Sequence, residues 1–412
     1  MSRPLYSALA LLLTLAACTP PTDSENRPPT VSAGDDRTVF LPAEDVPLSG
    51  SATDPDGDTL STTWAHEGPE GVAFADVGAL ETTATFPEVG VYTLTLSASD
   101  GVESVSDDVT ITVEPEPSQT TGTWEELPPS SEARQEVSYV QVGGLFYLAG
   151  GSTLHEVYDP VARTWSVLEP LPQDLDHIQG AAVGGLIYYL GGNVGGNLRE
   201  ETDTVYIYDP ATDTFSQGVP MPEGRGAGGV AVFENRIYYA GGLSDFEAQP
   251  SFYVYDPAAD SWAELPEMPH ARDHFHAAVL DGTFYAIGGR EARINATLPF
   301  VDAFDFETQT WTTLDTSLPT ERGGFASAVL GNEILVIGGE GGGNTYGEVE
   351  AYDPETNAWR TLEPMPTPRH GIQAAVCGTG VYIAAGGTVQ GVGPSTEHEV
   401  FFPGEPTDCV AG

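Results

Sequence analysis

The sequence contains no lysine, and its 412 residues include only fourteen arginines against 61 acidic residues. The net charge of −47 argues against binding to nucleic acid or to an anionic membrane surface by general electrostatic attraction. Cysteine is scarce as well, at three residues. This composition suits a soluble protein in a salty or cation-rich exterior, and the length allows two or three domains with buried cores.

The one long apolar run lies at the N-terminus, where residues 5–17 follow Arg3. This run is too short to span a bilayer as a helix and about right for the core of a signal peptide. It closes with Leu15-Ala16-Ala17-Cys18, which resembles a bacterial lipobox. The resemblance implies that residues 1–17 are removed, that Cys18 carries lipid, and that residues 18–26 form a tether. We expect an exported protein anchored to a bacterial membrane, at the outer membrane or cell surface; an ordinary secretory signal is the alternative.

The two remaining cysteines are Cys377, in the last sequence repeat, and Cys409, close to the C-terminus. In an oxidising compartment the two could form a disulfide. The bridge would pin the tail, residues 404–412, onto the last repeat. The sequence leaves open whether the geometry permits it.

Residues 27–114 alternate between apolar and polar in short runs, as in Val91-Tyr92-Thr93-Leu94-Thr95-Leu96. Turn residues separate these runs, which predicts an immunoglobulin-like β-sandwich. The segment resembles PKD-type domains through Arg27-Pro28-Pro29, the run Ser51 to Asp58, and Ser99-Asp100-Gly101. We expect Trp64 to lie in its core.

Three aspartates alternate along one loop of this domain: Asp54, Asp56 and Asp58. Carboxylates so close together repel one another unless a hard cation such as calcium binds them. The PKD resemblance implies a Ca²⁺ site formed by Asn26, Asp54, Asp56 and Asp100. The alternative is that these acids cap the turn through hydrogen bonds to the backbone.

A Gly-Gly pair recurs six times in the rest of the chain, at 150–151, 191–192, 241–242, 288–289, 338–339 and 386–387. Each pair ends an apolar strand, and a variable loop and a strand of the Tyr-Asp-Pro type follow it. An aromatic residue comes six positions after that aspartate, as in Trp165 and Trp262. A repeat of about 47 residues with four short strands predicts a β-propeller.

These repeated residues resemble the kelch signature, which implies a propeller over residues 123–403, joined by a linker at 115–122. The sixth unit lacks a tryptophan strand, whereas Thr123-Trp124-Glu125-Glu126 is such a strand with no Gly-Gly before it. The N-terminal strand should therefore complete the last blade and close a ring of six. The predicted fold class is all-β, a PKD-type sandwich followed by a six-bladed kelch propeller.

Five of the scarce arginines stand sixteen or seventeen residues ahead of a Gly-Gly pair: Arg134, Arg225, Arg272, Arg322 and Arg369. The second unit has Leu175-Asp176-His177 at this place. In kelch propellers this position lies at the mouth of the central channel, on the face of the loops that follow Gly-Gly. Arginine binds carboxylate, sulfate or phosphate bidentately, so we predict a ligand site at these five residues, Arg290, Arg293 and His274.

Two other interpretations of these residues stay open. Nearby acids (Glu132, Glu136, Asp273 and Glu321) could pair with the arginines and make the ring a structural belt of ion pairs. His270, His274 and His276 could hold a metal, although no acid or cysteine lies at a matching spacing, and surface or channel histidines are favoured.

The sequence favours a binding protein over an enzyme. The three cysteines offer no suitable partner for the crosslinked tyrosine of galactose oxidase-like propellers, no sialidase box occurs in the propeller segment, and no redox cofactor is expected. The expected partner is a protein or glycan with anionic groups, with the membrane contacted only through the lipid. The alternative is a periplasmic mutarotase acting on an acidic sugar, because such enzymes are six-bladed kelch proteins.

Overall fold

The computed structural model describes residues 26–114, 121–196, 200–407 and 409. The predicted signal peptide and Cys18 lie outside the described residues. The chain divides into two compact units, Met1–Gln119 and Thr120–Gly412. The described residues contain no helix long and apolar enough to cross a membrane.

The described part of the N-terminal unit forms three small sheets. The first pairs Thr30–Ser32 with Ser51–Thr53, the second runs Arg37–Phe40, Ser104–Glu114, Gly90–Ser99, Ser61–Glu67, and the third runs Ala43–Ser49, Glu81–Phe86, Ala73–Phe74. Alternate residues of Gly90–Ser99 are buried, as the apolar–polar alternation predicts. Trp64 is buried in this core, and its indole N–H donates to the carbonyl of Ala79 at 2.9 Å.

The described part of the C-terminal unit contains six four-stranded antiparallel sheets, here called blades 1 to 6. Blade 1 is Ser138–Val142, Leu145–Ala149, Glu156–Asp159, Thr164–Val167; blade 2 is Gln179–Val183, Leu186–Leu190, Val205–Asp209, Thr214–Gln217; blade 3 is Gly229–Phe233, Arg236–Ala240, Phe252–Asp256, Ser261–Leu265. Blade 4 is Ala277–Leu280, Thr283–Ile287, Phe300–Asp305, Thr310–Ser317; blade 5 is Ala326–Leu330, Glu333–Ile337, Val349–Asp353, Ala358–Leu362; blade 6 is Ala374–Cys377, Gly380–Ala384, His398–Phe402, Thr123–Glu126.

The first strands of the blades pack side by side in cyclic order, and the first strand of blade 6 returns to that of blade 1. The fourth strand of blade 6 comes from the N-terminal side, where Trp124 is opposite Phe401. The ring is thus closed by the strand around Trp124, and no blade is left with three strands.

Among the described residues, the loops after the Gly-Gly pairs take part in four two-stranded ribbons, and in blade 2 the ribbon joins that loop to the segment ahead of the blade. These are Leu175–Asp176 with Asn193–Val194, Leu243–Ser244 with Glu247–Ala248, Glu340–Gly341 with Asn344–Thr345, and Gly387–Val389 with Val392–Pro394. Single bridges join these loops to the segments that carry the arginines, for example Gly226 to Leu243 and Gly323 to Glu340. Loops and arginine segments therefore share one face, called the loop face below.

The glycine pairs permit a close approach between neighbouring blades. Gly241 and Gly242 have φ angles of +61° and +93°, and a Cβ atom on Gly241 would lie 2.5 Å from the carbonyl oxygen of Arg272, in the segment that leads into blade 4. The N–H of the second glycine donates to the next blade, as Gly242 does to Arg272. In blade 6 the donor to Arg134 is Gly386 and the residue before it, Ala385, has φ +60°. The structural pair of blade 6 is therefore Ala385–Gly386, one residue earlier than the sequence pattern.

Candidate functional site at the propeller axis

All five repeated arginines are buried, with at most 1 % of each exposed. Every one of them forms an ion pair with an acid of its own chain: Arg134 with Glu156, Arg225 with Glu223, Arg272 with Asp302, Arg322 with Glu350, and Arg369 with Glu399. The structure corrects the prediction that these five line an open anion-binding face. Their guanidinium groups are enclosed and neutralised within the fold, as in the alternative of an ion-pair belt.

Four of the partner acids are distant in sequence from the arginines they pair with. Four of the five lie on the third strand of the same blade, two residues before its aromatic, as Glu350 precedes Tyr352. In blade 3 that position is Tyr253, and Arg225 pairs instead with the exposed Glu223. An acid at this repeated position was the sequence signal that could have identified the belt.

Backbone carbonyls satisfy further guanidinium N–H groups. Arg272 Nη1 donates to the carbonyls of Ala286 and Gly288, both at 2.9 Å. Burial lowers the pKa of Arg272 to about 10, against the opposing attraction of Asp302. Arg272 therefore stays charged at neutral pH and clamps the second strand of its blade to the third.

Two residues after the arginine position, the six blades contribute one residue each to a ring around the axis. These residues are Glu136, His177, Ala227, His274, Gly324 and Gly371, here called the axial ring, and all have φ between 51° and 63°. Each N–H from His177 onwards donates to the carbonyl of the preceding member, and Val137 N–H closes the circle onto Gly371. Left-handed backbone is uncommon for non-glycine residues, so side chains at these positions are held in an unusual, shared orientation.

Three members of the axial ring carry metal-ligating side chains, and one ligand atom from each of Glu136, His177 and His274 lies within 4.8 Å of the others. We call these three the axial triad. His177 Nε2 lies 3.6 Å from Glu136 Oε2, and the His177 and His274 ring centroids are 4.8 Å apart. The triad borders a cavity of about 20 Å³. Because its members come from three blades, local spacing in the sequence did not reveal it.

The triad is surrounded by further charged groups. Burial opposes ionisation of Glu136, yet the combined attraction of His177, His274, His370 and Arg290 lowers its pKa to about 2. Burial would lower the pKa of His177, but Glu136 and Asp176 outweigh it and the pKa is raised. Burial, together with Arg290 and His177, lowers the pKa of His274. The carboxylate is thus ionised and His274 is neutral at neutral pH.

The two other arginines predicted for the ligand site differ in their exposure. Arg290 is 9 % exposed and bridges Asp273, at 3.3 Å, and Glu340, at 2.6 Å. Arg293 is exposed on the same loop.

The three histidines that are close in sequence, His270, His274 and His276, lie in different surroundings. His274 joins the axial triad, whereas His270 stacks on Phe300 and bonds to Asp302, and His276 lines the axial cavity. The three therefore do not form one metal site.

The loops of blades 4, 5 and 6 interlock on the loop face. Gly391 N–H donates to Glu340 Oε2 at 2.6 Å, and Gln390 Nε2 donates to Asn295 Oδ1 at 2.7 Å. Thr345 Oγ1 donates to the carbonyl of Thr388 at 3.2 Å. Hydrogen bonds therefore join three loops from different blades into one connected surface.

In the N-terminal unit the predicted calcium residues already have partners. Arg27 binds Asp56 through its guanidinium and its N–H, and Asn26 Nδ2 donates to Asp100 Oδ2 at 3.0 Å. Asp54 Oδ1 accepts two backbone N–H groups of its turn, those of Asp56 and Asp58. This is the turn-capping arrangement of the alternative, although Asp54 Oδ2 has no hydrogen-bond partner. Calcium binding by this loop stays a prediction.

A disulfide joins Cys377 to Cys409, with Cα atoms 5.1 Å apart. Cys409 is 8 % exposed and packs in the core shared by blades 1 and 6. The bridge attaches the end of the described chain to the first strand of blade 6.

Comparisons with known proteins agree with this architecture. The family model for the KLHDC2/KLHL20/DRC7 kelch-repeats domain matches residues 178–387, about half of the chain, and a family model for a PKD domain matches residues 33–113. The solved structure of YjhT superposes with a TM-score of 0.59 at 16 % identity, over 66 % of this chain and 96 % of that one, which shows a shared fold.

Similar curated sequences are the Kelch-like protein terF of Aspergillus terreus and the Kelch-like protein 7 of Rattus norvegicus. The first is 32 % identical over 48 % of this chain and 46 % of its own length, and the second 33 % identical over 22 % and 15 %. The Dyslexia-associated protein KIAA0319-like protein of Mus musculus is 34 % identical over 18 % of this chain and 7 % of its own length. This chain thus spans less than half of these relatives. It belongs to the kelch-repeat family, with an all-β propeller preceded by a PKD-like domain.

Proposed function

We propose that this chain is an exported, lipid-anchored binding protein whose propeller holds a protein or glycan partner on the loop face. A kelch propeller is consistent with ligand or protein binding in general. The observation that supports binding on the loop face in particular is the set of hydrogen bonds between the loops of blades 4, 5 and 6. A surface fixed before a partner arrives loses less conformational freedom on binding.

The chemistry of this surface is mixed. Val389 and Val392 are opposite each other in the blade 6 ribbon and are 57 % and 59 % exposed. Arg293 is exposed on the neighbouring blade 4 loop. An apolar pair beside a cation suits a partner that presents an apolar group and an anionic group together. The five buried arginines support this face from beneath and are not its contacts.

Substitutions on these loops test the proposal once a ligand is found by screening the chain against acidic glycans and peptides. Val389→Asp and Arg293→Ala are each expected to weaken binding at least about tenfold, the cost of one lost contact of about 1.4 kcal/mol. Val161→Asp is the matched control, since Val161 is 83 % exposed in a turn at the other end of blade 1. Calorimetric titration measures the affinities. Equal affinity in all three variants and the wild type would refute the loop-face proposal, and conversion between anomers of an acidic sugar would instead support the mutarotase.

The anchoring part of the proposal rests on Leu15-Ala16-Ala17-Cys18. In a bacterial host, the wild-type chain is expected to incorporate a labelled fatty acid and to sediment with membranes. Cys18→Ser should lose the label and move almost wholly to the soluble fraction, because the lipid supplies the membrane affinity. Cys409→Ser, expressed in parallel, should keep the label. Wild-type protein that takes up no fatty acid would contradict lipid anchoring without affecting the loop-face proposal.

A further inference from the structure

We propose that the axial triad of Glu136, His177 and His274 binds a divalent transition-metal ion. Two imidazoles and one carboxylate form a ligand set that suits zinc and its neighbours in the first transition row. The axial ring brings the three ligands together from blades 1, 2 and 4. This site is independent of the partner-binding surface proposed above.

The histidines are held as metal ligands usually are. His177 Nδ1 donates to Asp176 Oδ1 at 2.7 Å, and His274 Nδ1 donates to Asp273 Oδ1 at 2.5 Å. Because carboxylates only accept hydrogen bonds, the proton of each neutral imidazole lies on Nδ1 and the lone pair on Nε2. A carboxylate behind each ligating imidazole is the arrangement that orients histidines toward metals.

Within the axial triad, one buried ring nitrogen makes no hydrogen bond with the described residues. His274 is 4 % exposed, and its Nε2 has no hydrogen-bond partner. The 3.6 Å between His177 Nε2 and Glu136 Oε2 is too long for a hydrogen bond. Two ligands of one tetrahedral ion with bonds of 2.0–2.1 Å would be about 3.4 Å apart. The observed spacing therefore fits two atoms that share an ion better than two atoms that bond to each other.

Space and charge also favour a cation. The cavity of about 20 Å³ holds one particle of roughly the size of a water molecule, which needs about 10–15 Å³. Glu136 lines the cavity, and Asp176 and Asp273 contact the two histidines that line it. Arg290 bridges Asp273 and Glu340 behind them. His370 Nδ1 is held by the carbonyl of Gly387 at 2.9 Å, and its Nε2, which makes no hydrogen bond, lies 3.6 Å from Glu136 Oε1 and 3.5 Å from Glu340 Oε2. The site thus combines an excess of negative charge with further nitrogen donor capacity.

Zinc titration into the metal-stripped chain, free of any histidine tag, tests this proposal. We expect one Zn²⁺ per chain by calorimetry and elemental analysis, with a rise in melting temperature that EDTA reverses. The His274→Gln variant should bind no zinc when one equivalent of Zn²⁺ per chain is added. Asp176→Asn, which removes the negative charge behind His177 at nearly constant side-chain size, should weaken zinc binding about 10- to 100-fold. His66→Gln, in the other unit, is the matched control and should leave zinc binding unchanged.

Cobalt provides a readout that does not depend on the variants folding. A wild-type chain loaded with Co²⁺ should show visible absorption bands of a low-symmetry site with nitrogen and oxygen ligands. A wild-type chain that binds neither zinc nor cobalt overturns the proposal, and so does stoichiometric binding by His274→Gln and His177→Gln equal to that of the wild type.

Discussion

Replacing Arg322 with methionine is expected to lower the free energy of unfolding of the propeller by about 3–5 kcal/mol. Glu350 is 4 % exposed, and the substitution leaves its carboxylate buried without a cation. Arg322 also donates to the carbonyls of Thr320, at 2.7 Å, and Val336, at 3.0 Å, and both acceptors would lose this donor. Urea unfolding followed by tryptophan fluorescence measures the change.

Two further variants separate this structural role from ligand binding. Arg293→Met removes an exposed arginine and should change stability by less than about 0.5 kcal/mol. Combining Arg322→Met with Glu350→Leu should recover most of the loss, because an apolar pair of similar volume replaces a buried ion pair at little cost. If Arg322→Met unfolds at the same urea concentration as the wild type, the belt does not stabilise the fold.

Removing the disulfide by Cys377→Ala with Cys409→Ala is expected to cost about 3–4 kcal/mol, since the bridge closes a loop between residues 32 apart. That loop contains Gly380–Ala384 and His398–Phe402, the two central strands of blade 6. The crosslink therefore restricts the unfolded chain where the ring must close. Urea unfolding again measures the loss.

Reduction of the wild-type chain is the control for this prediction. Both sulfur atoms remain after reduction, so the packing of Cys409 in its core is kept while the crosslink is lost. Reduced wild type and the double variant should unfold at similar urea concentrations if the crosslink, and not the packing of Cys409, accounts for most of the loss. Equal stability of oxidised and reduced wild type would show that the bridge does not stabilise the fold.

The blades could be predicted from the sequence because their signals are local. Gly241-Gly242 needs left-handed backbone and close approach, and Trp124 marks a strand without a blade of its own, so both positions carry structural information by themselves. The partners of the arginines could not be predicted from local signals of this kind. Each arginine position was evident, but the acid that meets Arg322 lies on another strand of its blade.

Predicting the axial triad from the sequence would have required the closed ring as well as the individual blades. Glu136, His177 and His274 occupy the same place in three repeats, and only the cyclic arrangement turns that equivalence into proximity. The one-residue shift in blade 6 was missed because glycine at 386 and 387 looks alike in sequence, whereas the left-handed pair begins at Ala385.

The closing strand determines how the propeller responds to a mechanical load on its N-terminus. A pull reaches Thr123–Glu126 first, and this strand is held to His398–Phe402 by non-covalent bonds alone. His398–Phe402 itself lies inside the loop that Cys377 and Cys409 close. Tension would therefore detach the outermost strand of blade 6 while the disulfide keeps the other three strands joined. The strand that completes the ring is thus expected to be the first part of the propeller to yield under load.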